Sequence, residues 1–178
     1  MSEVYLGNPN LKKANTPIQF SAKQIEEFLK CKNNPVYFAQ KYVKIVSLDE
    51  GLVPFQPYKF QEKLIKRFHK NRFNICKMPR QTGKSTTVVS YLLHYAVFND
   101  SVNIGILANK AATARELLGR LQTAYENLPK WMQQGVLVWN RGSLELENGS
   151  KILAASTSAS AVRGMSFNIL FLDEFAFV

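Results

Sequence analysis

The sequence has few acidic residues and only two cysteines. It contains 13 Asp and Glu against 23 Lys and Arg, so its formal net charge is +10. This balance suits a polyanionic partner such as DNA, RNA or a nucleotide, but also an ordinary solvated basic face. Cys31 and Cys76 lie far apart and lack metal-ligand spacing with His69 or His94. The pattern favours reduced thiols in a reducing compartment, with Cys76 buried in a strand.

Long hydrophobic runs are also lacking. The longest apolar stretch, residues 88–98, is interrupted by Ser90 and His94 and is too short to span a bilayer. The N-terminus lacks the basic start and apolar core of a signal peptide. We therefore expect a soluble, cytosolic protein without a membrane partner. Its 178 residues, 46% of them hydrophobic, suffice for one α/β core.

A phosphate-binding loop is the clearest positive signal. Residues 78–85 read Met-Pro-Arg-Gln-Thr-Gly-Lys-Ser, after an apolar run and before an apolar helix. In such a loop, backbone N–H groups and a helix N-terminus bind the phosphates, a Lys reaches the β- and γ-oxygens, and a hydroxyl binds Mg²⁺. Gly83, Lys84 and Ser85 fit these roles. Met78 stands where the usual Walker A pattern has glycine, and Pro79 has no N–H to donate, so the loop is atypical.

The pattern along the chain predicts an α/β fold. Residues 1–19 lack periodicity and are expected to form an extended, poorly ordered arm. Ser21 with Gln24 predicts a capped helix, and Asn34-Pro35 starts a second one. After a loop at 51–57, further helices are predicted at 58–70, 85–98 and 110–128. Strands are predicted at 73–77, 102–107, 136–139, 143–146, 151–154 and 169–172, the fourth and fifth joined by an Asn-Gly turn.

An acidic pair follows the last strand. Asp173-Glu174 alone is compatible with an ordinary solvated strand end. With a P-loop upstream, it also fits the second half of an NTPase site, or Walker B: the first acid holds Mg²⁺ and the second polarises the attacking water. The glutamate favours NTPases with an added strand, which include helicases and translocation motors, over P-loop kinases.

Other polar residues have alternative interpretations. Arg80 can add charge beside the phosphates, or can point to solvent. Gln56 and Gln61 flank Tyr58, and such residues can bind an adenine edge and stack on its ring, although only the P-loop gives this pattern weight. Arg163, before a glycine, can act as an arginine finger or phosphate sensor, or can simply pair with a carboxylate.

These motifs together resemble the large terminase subunit of tailed, T-even-like bacteriophages. The resemblance rests on residues 56–61, 78–85, 162–167 and 171–174, and also on 105–110, 128–131 and 144–149. It implies a P-loop NTPase fold of the added-strand, RecA- and helicase-like type, with a mainly parallel sheet flanked by helices. Residues 1–50 are then an N-terminal arm and helical segment, and 51–178 are an ATPase core that stops at the Walker B strand and has no nuclease domain.

The resemblance also implies a function and roles for particular residues. The function is an ATPase that drives double-stranded DNA into a procapsid, with Mg²⁺ as cofactor. Arg80 matches an arginine carried within the family's loop, Arg163 one proposed to act on a neighbouring subunit's ATP, and Glu174 the catalytic carboxylate. Ser85 and Asp173 match the metal ligands. Nucleotide binding is expected from Gln56, Tyr58, Gln61, Arg80, Gln81, Thr82, Gly83, Lys84, Ser85 and Thr86. Expected partners are the portal protein, a small terminase subunit and further copies in a ring, in the host cytoplasm and transiently on the procapsid portal.

The length of the chain differs from the family pattern. Family members continue past the acidic pair with a coupling motif, the rest of the sheet and a nuclease domain. In the added-strand architecture, the strand beside the P-loop strand follows the acidic pair in sequence, so a central strand is expected to be missing. The sequence therefore suggests a fragment or split-gene product whose activity alone is uncertain. Alternatives are a fragment of a superfamily 2 helicase-like ATPase, although residues 173–176 depart from helicase motifs, and an inert nucleotide- or DNA-binding module.

Overall fold

The chain forms a five-stranded sheet, two small hairpins and five helices, in a computed structural model that describes residues 3–47, 49–158 and 164–174. The strands within those ranges are β1 (Val4–Tyr5), β2 (Asn8–Lys12), β3 (Lys44–Ser47), β4 (Gly51–Pro54), β5 (Asn103–Ala108), β6 (Val136–Trp139), β7 (Ser143–Leu146), β8 (Lys151–Ser156) and β9 (Ile169–Leu172). The helices are α1 (Ala22–Asn33), α2 (Pro35–Tyr42), α3 (Lys59–Lys70), α4 (Lys84–Phe98) and α5 (Ala111–Glu126).

The main sheet is mixed, with strand order β6-β7-β8-β5-β9. β5 runs parallel to both β8 and β9, whereas β7 is antiparallel to β6 and β8. The expectation of a mainly parallel sheet is therefore wrong. The predicted Asn148-Gly149 turn explains part of the difference, because it reverses the chain between β7 and β8, with Gly149 at φ +81°.

The strand predicted at residues 73–77 does not form. Residues 71–77 are all exposed, and Ile75 is 100% exposed. The prediction that Cys76 is buried in a strand is wrong for the same reason, since its side chain is exposed. Strands need a hydrogen-bonding neighbour. In the expected architecture that neighbour is a strand placed between 73–77 and β9, and within the described ranges β9 is itself the edge of the sheet.

Helix positions agree with the sequence because the caps form as predicted. The Ser21 hydroxyl accepts a hydrogen bond from Gln24 N (3.3 Å), and Gln24 Oε1 accepts one from Ser21 N (2.9 Å). Asn34 Oδ1 accepts from Tyr37 N at 3.0 Å and begins α2. The predicted bounds of the three later helices agree with the structure to within two residues.

The first residues form a hairpin, β1–β2, that attaches to the rest of the protein. Gln133 Oε1 accepts a hydrogen bond from Lys12 N (3.0 Å). The Glu147 carboxylate accepts from Lys12 Nζ (2.8 Å) and Gly135 N (2.7 Å). Although burial raises the pKa of Glu147, these donors hold it below its usual value. The extended, poorly ordered arm expected from the sequence is thus a docked hairpin in the structure. A second unpredicted hairpin, β3–β4, includes part of the expected 51–57 loop.

Helix α4 lies at the centre of the core. Eleven of its 15 residues are buried, as its nearly all-round apolar sequence indicates. It packs against α2, α3 and α5, and α5 packs on β5 and β8. The rings of His94 and Phe98 contact Phe38 of α2, and Phe98 also contacts Phe28 of α1. The N-terminal helices therefore share one core with α4. No helix in the described ranges is long and apolar enough to cross a membrane.

We predict that His94 makes the protein less stable in acid. Its Nε2 lies 2.9 Å from Cys31 O, the side chain is buried, and burial lowers its pKa from 6.5 to about 4. The unfolded chain then binds more protons, so stability is complete above pH 6.5 and falls as pH drops towards 4. The loss is about 3 kcal/mol over this range, from the size of the pKa shift. Urea unfolding at several pH values measures it.

The variant His94→Gln, which keeps a donor for Cys31 O, should flatten this pH dependence. The matched control is His69→Gln, because His69 is exposed on α3. This variant should keep most of the dependence of stability on pH. Equal slopes for the wild-type protein and His94→Gln would contradict the prediction.

Candidate nucleotide-binding site

The carboxyl ends of three parallel strands meet at one edge of the sheet. β5, β8 and β9 run parallel in register, so Ala108, Ser156 and Leu172 end at the same side. Asp173 continues this alignment, because its backbone N–H donates to Leu107 O at 2.8 Å. In open α/β sheets, ligands bind at this edge.

The loop before α4 has the backbone form of an anion-binding site. Gln81 and Gly83 have φ of +60° and +71°, on either side of Thr82. Alternation between left-handed and ordinary residues turns successive N–H groups towards one point. The Thr82 hydroxyl closes the turn by donating to Pro79 O (3.0 Å). Arg80, in the same turn, is exposed. The atypical residues at 78 and 79 therefore do not prevent the loop from adopting this shape.

Lys84 is the first residue of α4 and folds back over the loop. Its Nζ donates to Met78 O (3.0 Å) and Pro79 O (2.9 Å). These carbonyl acceptors were not foreseen from the sequence. The contact holds the charge of Lys84 at the mouth of the loop.

The first turn of α4 has free backbone N–H groups next to the loop. Ser85 and Thr86 are half-buried, and the turn contains no acidic residue. A helix N-terminus without acids favours an anion. Sequence reasoning missed Thr87, whose buried hydroxyl donates to Gly83 O at 2.8 Å and fixes the start of the helix. Its position one turn after a glycine N-cap could have indicated this.

The three residues expected to bind adenine have different surroundings. Gln61 is 3% exposed; its Oε1 accepts from Tyr58 N (2.8 Å) and its Nε2 donates to Thr82 O (3.3 Å). Gln61 therefore links the start of α3 to the loop before α4. Gln56 is exposed, and Tyr58 is 70% exposed with its ring stacked on Phe60. Gln56 and Tyr58 are the two with accessible side chains.

The acidic pair has unequal surroundings. Asp173 is half-buried, and Glu174 is exposed with a left-handed φ of +51°. Burial raises the pKa of Asp173, the charge of Glu174 raises it further, and the charge of Lys84 opposes both. Arg163, predicted as an arginine finger or sensor, lies outside the described residues.

A separate apolar cavity of about 390 Å³ lies between the N-terminal arm and α1. Its walls include Ile18, Phe20, Leu29 and Trp131, and none of the residues predicted to bind nucleotide lines it. Its polar end is formed by Lys12 and Glu147, which already neutralise each other.

Known proteins share this fold. The structure is similar to the crystal structure of the HK97 bacteriophage large terminase, with a TM-score of 0.66 and 19% sequence identity, over 79% of this chain and 30% of that chain. Residues 75–178 also match the family described as "Terminase large subunit, T4likevirus-type, N-terminal". Because that match covers more than half of the chain, the protein belongs to the T4-like large terminase family.

We predict that Gly83 cannot be replaced by alanine without disturbing the loop. A Cβ there would lie 2.5 Å from Gln61 Nε2, and φ is +71°. Gly51, at φ +72° with no atom within 4 Å of its ideal Cβ, is a matched control. Both alanine variants bear left-handed strain of about 1–2 kcal/mol. Gly83→Ala should lose about 1 kcal/mol more, because the Gln61 amide must move and give up its hydrogen bond to Thr82 O. Urea unfolding measures both.

A double-mutant cycle tests the cause. If the clash with Gln61 produces the extra loss, Gly83→Ala should cost less in a Gln61→Ala background. Equal costs for Gly83→Ala and Gly51→Ala would contradict the packing of Gln61 beneath the loop.

Proposed function

We propose that this protein is the ATPase part of a viral large terminase subunit, which couples ATP hydrolysis to the movement of double-stranded DNA into a procapsid. One observation carries the proposal. The loop before α4 has left-handed residues at Gln81 and Gly83, and Lys84 at the start of the helix folds back over it through two hydrogen bonds. Membership of the T4-like terminase family supports the same function.

The phosphates of ATP would bind in the loop at Gln81, Thr82 and Gly83 and at the N–H groups of Ser85 and Thr86. Lys84 would exchange its two carbonyl acceptors for phosphate oxygens, which are stronger partners because they are charged. Gln56 and Tyr58 are accessible to the base, and Gln61 holds the loop from below. Arg80 is exposed beside the loop, where its guanidinium can stabilise charge that develops on the phosphates. For Arg163, the same role follows from the resemblance alone.

The residues present fit Mg²⁺. The Ser85 hydroxyl and Asp173 carboxylate are oxygen donors of the kind this ion prefers, and magnesium in nucleotide sites usually has only one or two protein ligands besides water and phosphate. The half-buried Asp173, with its raised pKa, would gain from a cation beside it. When bound, the ion would neutralise phosphate charge. Glu174, exposed next to Asp173, would accept a proton from the attacking water.

The remaining parts of the proposal rest on the family. They are the partners, namely double-stranded DNA, the portal protein, a small terminase subunit and further copies in a ring, and the location in the host cytoplasm and on the procapsid. This chain spans 30% of the length of the HK97 structure, so the activity of a whole terminase is inferred for it.

A second candidate function is nucleotide binding without turnover. The exposed segment 71–77 favours it, because a P-loop normally follows a strand held within the sheet. A loop without that support can still bind phosphate through its N–H groups and Lys84, while Glu174 is less firmly positioned for hydrolysis. The helicase-like alternative is disfavoured by the family match.

We predict that Lys84→Ala lowers the affinity for MgATP at least about tenfold, since charged hydrogen bonds to phosphate are lost. A titration with a fluorescent ATP analogue measures this. Lys44→Ala removes the same charge from an exposed site on β3 and should leave the affinity unchanged. Equal affinities for wild-type protein and Lys84→Ala would contradict the nucleotide site.

Hydrolysis separates the two candidate functions. Turnover should be measured for the 178-residue chain alone and with the segment that follows the acidic pair in other T4-like terminases added in trans. We expect turnover only with the added segment, and loss of that turnover, with nucleotide binding retained, in Glu174→Gln. Binding without turnover in both conditions would favour the second candidate.

A further inference from the structure

One face of α3 carries charge of a single sign. Four lysines, the α3 lysine stripe, recur at spacings of four, three and four residues and are all exposed: Lys59, Lys63, Lys66 and Lys70. With 3.6 residues per turn, this spacing places them in one narrow row along the helix. The opposite side packs inward through Gln61 and Ile65, which are 3% and 1% exposed. The stripe therefore points directly to solvent.

The stripe has a single acidic neighbour on its own helix, Glu62, which lies three residues after Lys59 and four before Lys66. Glu62 is the one acid in α3, and its Oε1 is engaged by Gln40 Nε2 of α2 at 2.9 Å. Elsewhere the charges are mixed: α1 carries Glu26 and Glu27 among its lysines, and on α5 Arg120 pairs with Glu116. Like charges four residues apart repel and weaken a helix. A polyanion on this face would relieve that repulsion.

We propose that the α3 lysine stripe binds the phosphate backbone of double-stranded DNA. The inference rests on the proposed function for the choice of partner, and on the structure for the surface. Lys59 to Lys70 span about 16 Å at 1.5 Å per residue. Over that length of duplex axis one strand has about five phosphates, spread over roughly half a helical turn. The long lysine side chains can reach those phosphates that face the stripe.

Other polyanions fit the surface less well. A membrane-surface helix needs an exposed apolar side, whereas the apolar side of α3 is packed against α2 and α4. Single strands are usually bound by aromatic side chains that stack on the bases. Tyr58 and Phe60, at the start of the stripe, stack on each other with ring centroids 5.8 Å apart, and the ring of Phe73, beyond its end, is covered by Arg72.

The same helix contacts the nucleotide loop on its inner side. Gln61 Nε2 donates to Thr82 O, so α3 joins the DNA-binding face to the phosphate-binding loop through one side chain. Occupation of either site can then alter the affinity of the other, and the effect must be equal in both directions.

The test is fluorescence anisotropy of a labelled 20-base-pair duplex titrated with the 178-residue chain at several salt concentrations. Three variants are compared. The first changes the whole stripe to glutamine: Lys59→Gln, Lys63→Gln, Lys66→Gln and Lys70→Gln. The second changes the same four residues to arginine. The third removes four exposed lysines elsewhere: Lys13→Gln, Lys23→Gln, Lys32→Gln and Lys44→Gln.

We expect the first variant to lose at least about tenfold in affinity at low salt, and the slope of log affinity against log salt to become shallower by about three, since each phosphate contact contributes roughly 0.9. The arginine variant should bind as well as wild type. The third variant should change less than about threefold, although its net charge equals that of the first. An unchanged or higher unfolding temperature for the first variant would show that its loss of binding is not loss of folding.

Several outcomes would overturn the proposal. Equal weakening by the first and third variants would mean that overall charge, not this face, binds DNA. Tighter binding to a single-stranded oligothymidine than to the duplex, or to vesicles of anionic lipid, would assign the stripe to another partner. MgATP binding is measured separately and tests the proposed function. If the protein binds MgATP but the glutamine variant of the stripe binds duplex DNA as well as wild type, only the DNA-binding role of the stripe is overturned.

Discussion

Burial of α4 on nearly all its sides is the constraint on which the rest of the structure depends. Its neighbours α2, α3 and α5 enclose it, and the rings of Phe38 and Phe28 extend that contact to the N-terminal helices. Because Gly83 is the N-cap of α4, whatever fixes the helix also fixes the loop in front of it. The hydrophobic effect thus positions a site whose own residues are mostly polar and contribute little to packing.

The candidate site is assembled from two supports of unequal strength. The Asp173 side is tied to the sheet by a backbone hydrogen bond to Leu107. The loop is held from behind by α4 and from below by Gln61, while the segment leading into it, 71–77, lies exposed. A loop anchored at one end can keep its shape and still be imprecisely placed against its partner residues. Hydrolysis demands closer placement of the reacting groups than nucleotide binding does, so the proposed binding can be retained where the proposed hydrolysis is lost.

Local signals in the sequence were sufficient where the interaction is local. The Ser21–Gln24 cap, the Asn-Gly turn and the apolar α4 pattern each form within a few residues, and the structure confirms the elements they predict. A strand at 73–77 depends instead on hydrogen bonds to a strand distant in sequence. The apolar residues of 73–77 do not indicate whether such a strand lies beside them. The attachment of the arm to Gln133 and Glu147 is likewise long-range. The opposed environments of Gln56 and Gln61 could not be told apart, because both are glutamines beside one tyrosine.

Among the described residues β9 is the edge strand of the main sheet, and this has a consequence for how the protein behaves in solution. An edge strand offers a row of backbone groups that another copy can pair with, and Leu170 within β9 is 47% exposed. The net charge of +10 keeps copies apart at low ionic strength. At about 0.1 M salt the repulsion acts over only about 10 Å, so strand edges can approach each other. The protein should therefore aggregate as salt is added, whereas many proteins become more soluble under the same treatment.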